Sequence, residues 1–263
     1  MKILVLGKGF LGQEFESMGY EVWGKDRLVL RRDTQLEFLG DYDVVINCIG
    51  ISDTRFCELP ENFPKVLQTN SSLPYGLSRG CEFYETKFVH ISTGCLYDEI
   101  GRPCSEDDFL AAHCGYTVSK YAGEIGCNKD RDLILRPRLL FSDKRMNTHN
   151  NLLQKLPKFN SFVDELNSVT WNKTIVEATQ ALLDHEQTGV FNVANEGRHT
   201  IYEIATEMLG LKGDKMSGEQ LRSSQGLYLV NNVMDISKLK QFYQPVSVEK
   251  AVEICYDNMT KQN

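Results

Sequence analysis

Ile3-Leu-Val-Leu6, followed at once by Gly7-Lys8-Gly9-Phe10-Leu11-Gly12, decides the fold of this 263-residue chain. Four consecutive apolar residues read as a strand buried on both faces. The three glycines then have the G-x-G-x-x-G spacing that follows a first strand and opens a helix in dinucleotide-binding sheets. The first glycine allows a tight turn, the second lets backbone approach a pyrophosphate, and the third permits close packing of helix on strand. Phosphate charge is met by the N–H groups at the helix N-terminus. Such a motif is weak alone and informative at the head of an alternating pattern.

That pattern continues. Further strands are expected at residues 20–23, 44–47, 87–92 and 133–136, with helices between them, a long one near 64–79 and another around 116–127. Alternation of this kind predicts an α/β fold with a doubly wound parallel sheet of the Rossmann type. Beyond it lie helical patterns at 150–157 and 172–185, a strand at 190–193, a helix at 201–209 behind Thr200 as N-cap, and a closing helix at 248–258. The expected organisation is a dinucleotide-binding domain over 1–142, with elements returning from about 170–194, and a smaller substrate-binding portion over 143–263.

Composition narrows the function classes. A net charge of −7 leaves no basic footprint for nucleic acid. No apolar run approaches the roughly 20 residues needed to cross a bilayer, and the opening apolar segment is too short for a secretory signal. These readings predict a cytoplasmic protein without nucleic-acid or membrane partners. None of the eight cysteines forms a C-x-x-C pair, so most are expected to be buried thiols. The five histidines show no metal-ligand spacing, and no metal is expected. Trp23 and Trp171 are expected in the core or an interface.

Tyr116-Thr-Val-Ser-Lys120 supplies chemistry. Residues four apart share a helix face, so a phenol and an ammonium meet the same ligand. The ammonium is expected to lower the phenol's pKa from about 10, making it a better proton donor. Taken alone, this spacing is ordinarily a surface pair. Ser92-Thr93-Gly94-Cys95 changes that reading, because it ends the fourth strand, where open α/β sheets bind ligands. Thr93 there can polarise a ketone that Tyr116 protonates. After the second strand come Lys25, Asp26 and Arg27. The two cations suit a ribose 2′-phosphate and favour NADPH, whereas Asp26 suits a 2′-hydroxyl and leaves NADH open.

These motifs, with Val45-Ile-Asn-Cys-Ile-Gly50, Thr69-Asn70, Leu135-Arg-Pro-Arg138, Gly189-Val-Phe-Asn-Val-Ala194 and Asn231-Asn-Val-Met-Asp-Ile-Ser-Lys-Leu239, run almost end to end. In them the chain resembles the extended short-chain dehydrogenases/reductases, specifically the dTDP-4-dehydrorhamnose reductase group. The resemblance implies a catalytic Thr93–Tyr116–Lys120 set. It implies a cofactor site of Gly7, Lys8, Gly9, Phe10, Leu11, Gly12, Arg27, Cys48, Ile49, Gly50, Asn70, Tyr116 and Lys120. Asn70 can alternatively satisfy a helix backbone. A homodimer is what the wider family implies.

Thr93-Gly-Cys95-Leu is similar to the bifunctional nucleotide-rhamnose synthases, which epimerise C3 and C5 and reduce C4 of a nucleotide sugar. That resemblance implies Cys95 and Lys155 as epimerase acid–base partners, with Arg55, Cys95 and Arg138 near substrate. Protons on carbons flanking a ketone are acidified, and inversion needs one group to remove a proton and another to return one. A thiol and an amine can do both if the site brings their pKa values toward neutrality. The plain alternatives are a packing thiol and an exposed helix lysine. Three functions follow: an NADPH-dependent 4-reductase with 3,5-epimerase activity making a nucleotide-L-rhamnose-type sugar, a monofunctional 4-reductase, or a non-catalytic NADP-binding regulatory subunit. Retention of Thr93, Tyr116 and Lys120 argues against the last.

Overall fold

A computed structural model describes residues 1–27, 36–98, 101–144, 151–226 and 231–261. Six strands form the main sheet, in the order Glu21–Trp23, Ile3–Leu6, Val44–Asn47, Lys87–Ile91, Leu133–Pro137, Gly189–Val193. The pairings among the first five are parallel. All four residues of Val44–Asn47 are buried, as a strand covered on both faces requires. Ile3–Leu6 lies between its next strand in the chain and the one after that. The strand order therefore reverses beside it, and open sheets bind ligands beyond the carboxyl ends of strands at such a point.

The chain divides into two compact units: residues 1–96, 112–136 and 186–191 form the first, and 97–111, 137–185 and 192–263 the second. The second unit is therefore no smaller than the first, contrary to expectation, because it takes in 97–111 and the helix Asn172–Asp184. From the expected return segment, the first unit recovers 186–191 alone.

The first unit's core joins Leu4, Leu6, Val45, Leu77, Cys81, Phe88 and Ile134. The helix expected at 64–79 runs as Phe63–Leu67, a π turn Gln68–Ser72, and Leu73–Phe83. A π turn inserts one residue into an α-helix and turns the side chains within it out of the regular helical register.

In the second unit, Phe141, Leu153, Trp171, Ile204, Val248 and Val252 pack together. Thr200 caps its helix as expected, its hydroxyl accepting from Glu203 N at 3.0 Å. Three short strand pairs escape the sequence pattern: 140–141 with 170–171, 161–163 with 214–216, and 166–167 with 199–200. Two or three residues are too few for alternation to register. The helix expected from 150 begins outside the described residues at its first position and is observed as Leu152–Lys155. Six of the eight cysteines are buried, and Cys48 and Cys95 are half-buried. Among the described residues, no helix is long and apolar enough to cross a membrane.

Candidate active site

The glycine turn has the shape its spacing predicts. Gly7 adopts φ +106°, and a Cβ on it would come within 2.9 Å of the Ile49 backbone nitrogen. A Cβ on Gly12 would overlap the Gly7 carbonyl oxygen, so the helix Gly12–Ser17 starts in direct contact with the turn. Gly9 differs: it is exposed, and a Cβ there would meet nothing within 4 Å. Two glycines thus close the turn while the middle one faces open space, the arrangement that admits a pyrophosphate. Phe10 and Leu11 are buried in the first unit, so only their backbone can serve a ligand. The Lys8 ammonium is held by Glu16 at 2.6 Å. Arg27 stacks on the Trp23 ring at 4.6 Å and pairs with Glu21 at 3.4 Å.

Across the switch point, Cys48, Ile49 and Gly50 follow the strand Val44–Asn47. A Cβ on Gly50 would lie 3.5 Å from Asn70 Oδ1 and 4.0 Å from Lys120 Nζ. Asn70, in the π turn, is fully buried. Its Oδ1 accepts from Ile51 N at 2.8 Å, and its Nδ2 donates to Ile51 O at 2.9 Å and Ser119 Oγ at 3.0 Å. The amide fastens the loop after the third strand to the helix carrying Tyr116 and Lys120.

That helix, Gly115–Ile125, starts where its unsatisfied N–H groups find partners. Glu58 Oε1 accepts from Gly115 N at 2.6 Å, and Thr117 Oγ1 accepts from Cys114 N at 3.0 Å. The Glu58 contact, 57 residues away, has no local sequence signal. Arg55 lies exposed on the same short helix as Glu58, Thr54–Glu58.

The helix directs Tyr116 and Lys120 at the end of the strand Lys87–Ile91. Lys120 is almost wholly buried and donates from Nζ to Ile91 O at 2.7 Å. The Thr93 side chain lies beside the Tyr116 phenol, and Thr93 Oγ1 accepts from Cys95 N at 3.2 Å. Thr93, Cys95, Tyr116 and Lys120 therefore form one cluster.

Its electrostatics correct one expectation. Burial raises the Tyr116 pKa, the neighbouring Cys95 raises it further, and Thr93 opposes both. The net shift is upward rather than downward, because desolvation disfavours the phenolate more than the surroundings stabilise it. The phenol is consequently held in its proton-carrying form near neutrality. Burial also lowers Lys120, to about 8, with Glu124 the largest opposing influence.

Two expected residues belong to the second unit. Arg138 is buried there, its Nε and one terminal nitrogen donating to Asn167 Oδ1 at 3.1 and 2.7 Å. It is not a surface charge. Lys155 ends the helix Leu152–Lys155 and is half-buried. Glu124, Arg136 and Ser92 complete the surroundings of the first-unit cluster. Glu124 was legible in principle, since it lies four residues beyond Lys120 and so on the same helix face.

A family model described as RmlD substrate binding domain matches residues 1–225. The chain is 26% identical over 196 residues to a dTDP-4-keto-6-deoxy-D-glucose reductase of Streptomyces niveus, covering 68% of this chain and 67% of that one. It is 24% identical, over a 279-residue alignment, to an Arabidopsis thaliana protein named trifunctional UDP-glucose 4,6-dehydratase/UDP-4-keto-6-deoxy-D-glucose 3,5-epimerase/UDP-4-keto-L-rhamnose reductase. That alignment takes in 96% of this chain but 41% of the longer protein. Among solved structures, the UDP-rhamnose synthase of Acanthamoeba polyphaga mimivirus superposes with a TM-score of 0.82 at 18% identity, over 98% of this chain and 99% of that one. A Bacillus anthracis dTDP-4-dehydrorhamnose reductase, solved in complex with NADP, gives 0.77 at 18% identity, over 97% and 98%. At such identities these two likenesses concern the fold.

Proposed function

The chain belongs to the RmlD substrate-binding-domain family, and on that basis we propose that it is an NADPH-dependent 4-reductase of a nucleotide-linked 4-keto-6-deoxyhexose that also epimerises C3 and C5. The observation that carries the reading is the Thr93 side chain beside the Tyr116 phenol at the strand tip, with Lys120 one turn along the same helix. The names of the Streptomyces and Arabidopsis relatives support the substrate class. Arg27 and Lys25 beyond the second strand, and the NADP in the Bacillus anthracis structure, support the cofactor.

The turn made by Gly7 and Gly12, open at Gly9, fits a dinucleotide pyrophosphate, and Gly50 keeps the approach to Lys120 uncrowded. When bound, the reduced nicotinamide supplies hydride to the sugar's C4. The Thr93 hydroxyl hydrogen-bonds the C4 oxygen, and Tyr116, protonated at neutral pH because burial raises its pKa, donates the proton that the oxygen needs. Donors already aimed at the developing oxyanion reorganise little as charge accumulates, which is the larger source of rate. Before reduction, Cys95 and Lys155 exchange protons at C3 and C5, which the C4 ketone acidifies. Arg138 and Arg55 bind the substrate's polar groups.

A reductase without epimerase activity would use the same three residues, and the Streptomyces relative, named for reduction alone, favours it. Incubation with UDP- and dTDP-4-keto-6-deoxyglucose in deuterated buffer, with and without NADPH, followed by NMR, separates the readings. Deuterium at C3 and C5 without NADPH, and a rhamnose-type product with it, is the expected result. Reduction without exchange leaves a monofunctional enzyme. If no 4-keto sugar nucleotide, the already epimerised 4-keto sugar included, oxidises NADPH, the chain is the non-catalytic subunit instead.

A further inference from the structure

Three residues of the helix Gly115–Ile125, each four apart, hold three consecutive residues at the strand tip. Lys120 binds the Ile91 carbonyl, Glu124 Oε2 accepts from Ser92 Oγ at 2.9 Å, and Tyr116 lies beside Thr93. Glu124 is fully buried and gripped on both oxygens by Arg136, itself 1% exposed on the strand Leu133–Pro137. Lys129 adds a distant contact at 3.9 Å.

We propose that Glu124 is a positioning residue, whose buried carboxylate keeps the Lys120 ammonium charged beside Tyr116 and ties it to the tip that carries Thr93. The groups facing Lys120 make the case. From its own helix come Tyr116 and Glu124, and from just beyond its end Cys127; from the strand Lys87–Ile91 comes His90; from the loop after Val44–Asn47 comes Cys48. Burial pushes Cys127 up to about 12 and raises Cys48 and Tyr116, so all three stay protonated near neutrality. Burial likewise keeps His90 neutral. Among the described residues facing Lys120, Glu124 is the anion. Burial works against the ammonium at this position, and Glu124 opposes it most. Arg136 holds the carboxylate in place through both of its oxygens.

The catalytic consequence rests on the function proposed above, but the electrostatic one does not. The test is therefore an NMR titration of Lys120 in the cofactor-free protein with ¹³C-labelled lysines, the signal assigned by its loss in Lys120→Arg. Glu124→Gln, close to isosteric, should move the Lys120 midpoint down by roughly 1 pH unit, whereas Glu124→Asp, which retains the charge, should leave it nearly in place. A misfolded variant is recognised by lost methyl dispersion and a midpoint near the reference of about 10.4. A structural role alone predicts no dependence on the charge. Should Glu124→Gln fail to fold, Glu124→Met replaces it, with the same lowered midpoint expected. An unchanged Lys120 midpoint in folded Glu124→Gln or Glu124→Met overturns the proposal. Failure of NADPH oxidation with intact midpoint shifts would instead overturn the assigned reaction and leave this inference standing.

Discussion

Gly123 and Asn70 meet backbone to backbone: a Cβ on Gly123 would overlap the Asn70 carbonyl oxygen. The helix bearing Tyr116 and Lys120 therefore crosses the π turn at the closest approach a peptide allows, and that approach lets Asn70 reach Ser119 and Ile51 together. Gly123→Ala must push the two apart. We expect a loss of roughly 1–3 kcal/mol of stability, as for overpacked cores, read as a lowered urea midpoint with unchanged slope.

Tyr116→Phe removes the hydroxyl and keeps the ring. Turnover with a 4-keto sugar nucleotide should fall by roughly 10²–10⁴-fold, the usual contribution of a general acid. Cofactor affinity and thermal melting should change little. Turnover within a factor of a few of the wild type would remove Tyr116 from the reaction.

Cys95→Ser tests the proton exchange separately. Solvent deuterium incorporation at C3 and C5 should be lost, while reduction of a sugar already in the epimerised configuration persists, because Thr93, Tyr116 and Lys120 are intact. Parallel loss of both activities would show that the thiol serves the whole site instead.

Lys120 has a stability signature. Its folded pKa of about 8 lies below the unfolded value of about 10.4. The unfolded chain then binds more protons between those values, so the cost of burying the ammonium is complete below about pH 8 and fades as pH rises toward 10.4. Lys120→Met should melt above the wild type at pH 7, and the gap should close across that window. A pH-independent gap would mean that folded and unfolded chains hold the Lys120 proton equally, so that burial does not shift it.

The parallel strands are legible in the sequence because burial on both faces writes them as uninterrupted apolar runs, Ile3–Leu6 and Val44–Asn47 above all. The glycine turn is legible because steric limits at Gly7 and Gly12 leave no other residue. Helix periodicity puts Tyr116 and Lys120 on one face, yet it says nothing of solvation, and solvation sets the direction in which the phenol's pKa moves. Asn70 is ambiguous for a different reason. An i, i+4 pattern assumes regular turns, and the π turn at Gln68–Ser72 breaks that assumption where the amide matters. Glu58 and Arg136 act across long stretches of chain, so no local window contains both partners.

The edge of the sheet has a consequence for how the protein is made. Residues 186–191 return to a unit that is otherwise complete by residue 136, with Gln187 O accepting from Lys87 Nζ and Gly189 N donating to Asp132 O. During synthesis the nucleotide-side sheet must wait, its flank at Leu133–Pro137 uncovered, until some fifty further residues have left the ribosome. A cut between the two stretches would leave an unfinished sheet in one product and a stray strand in the other.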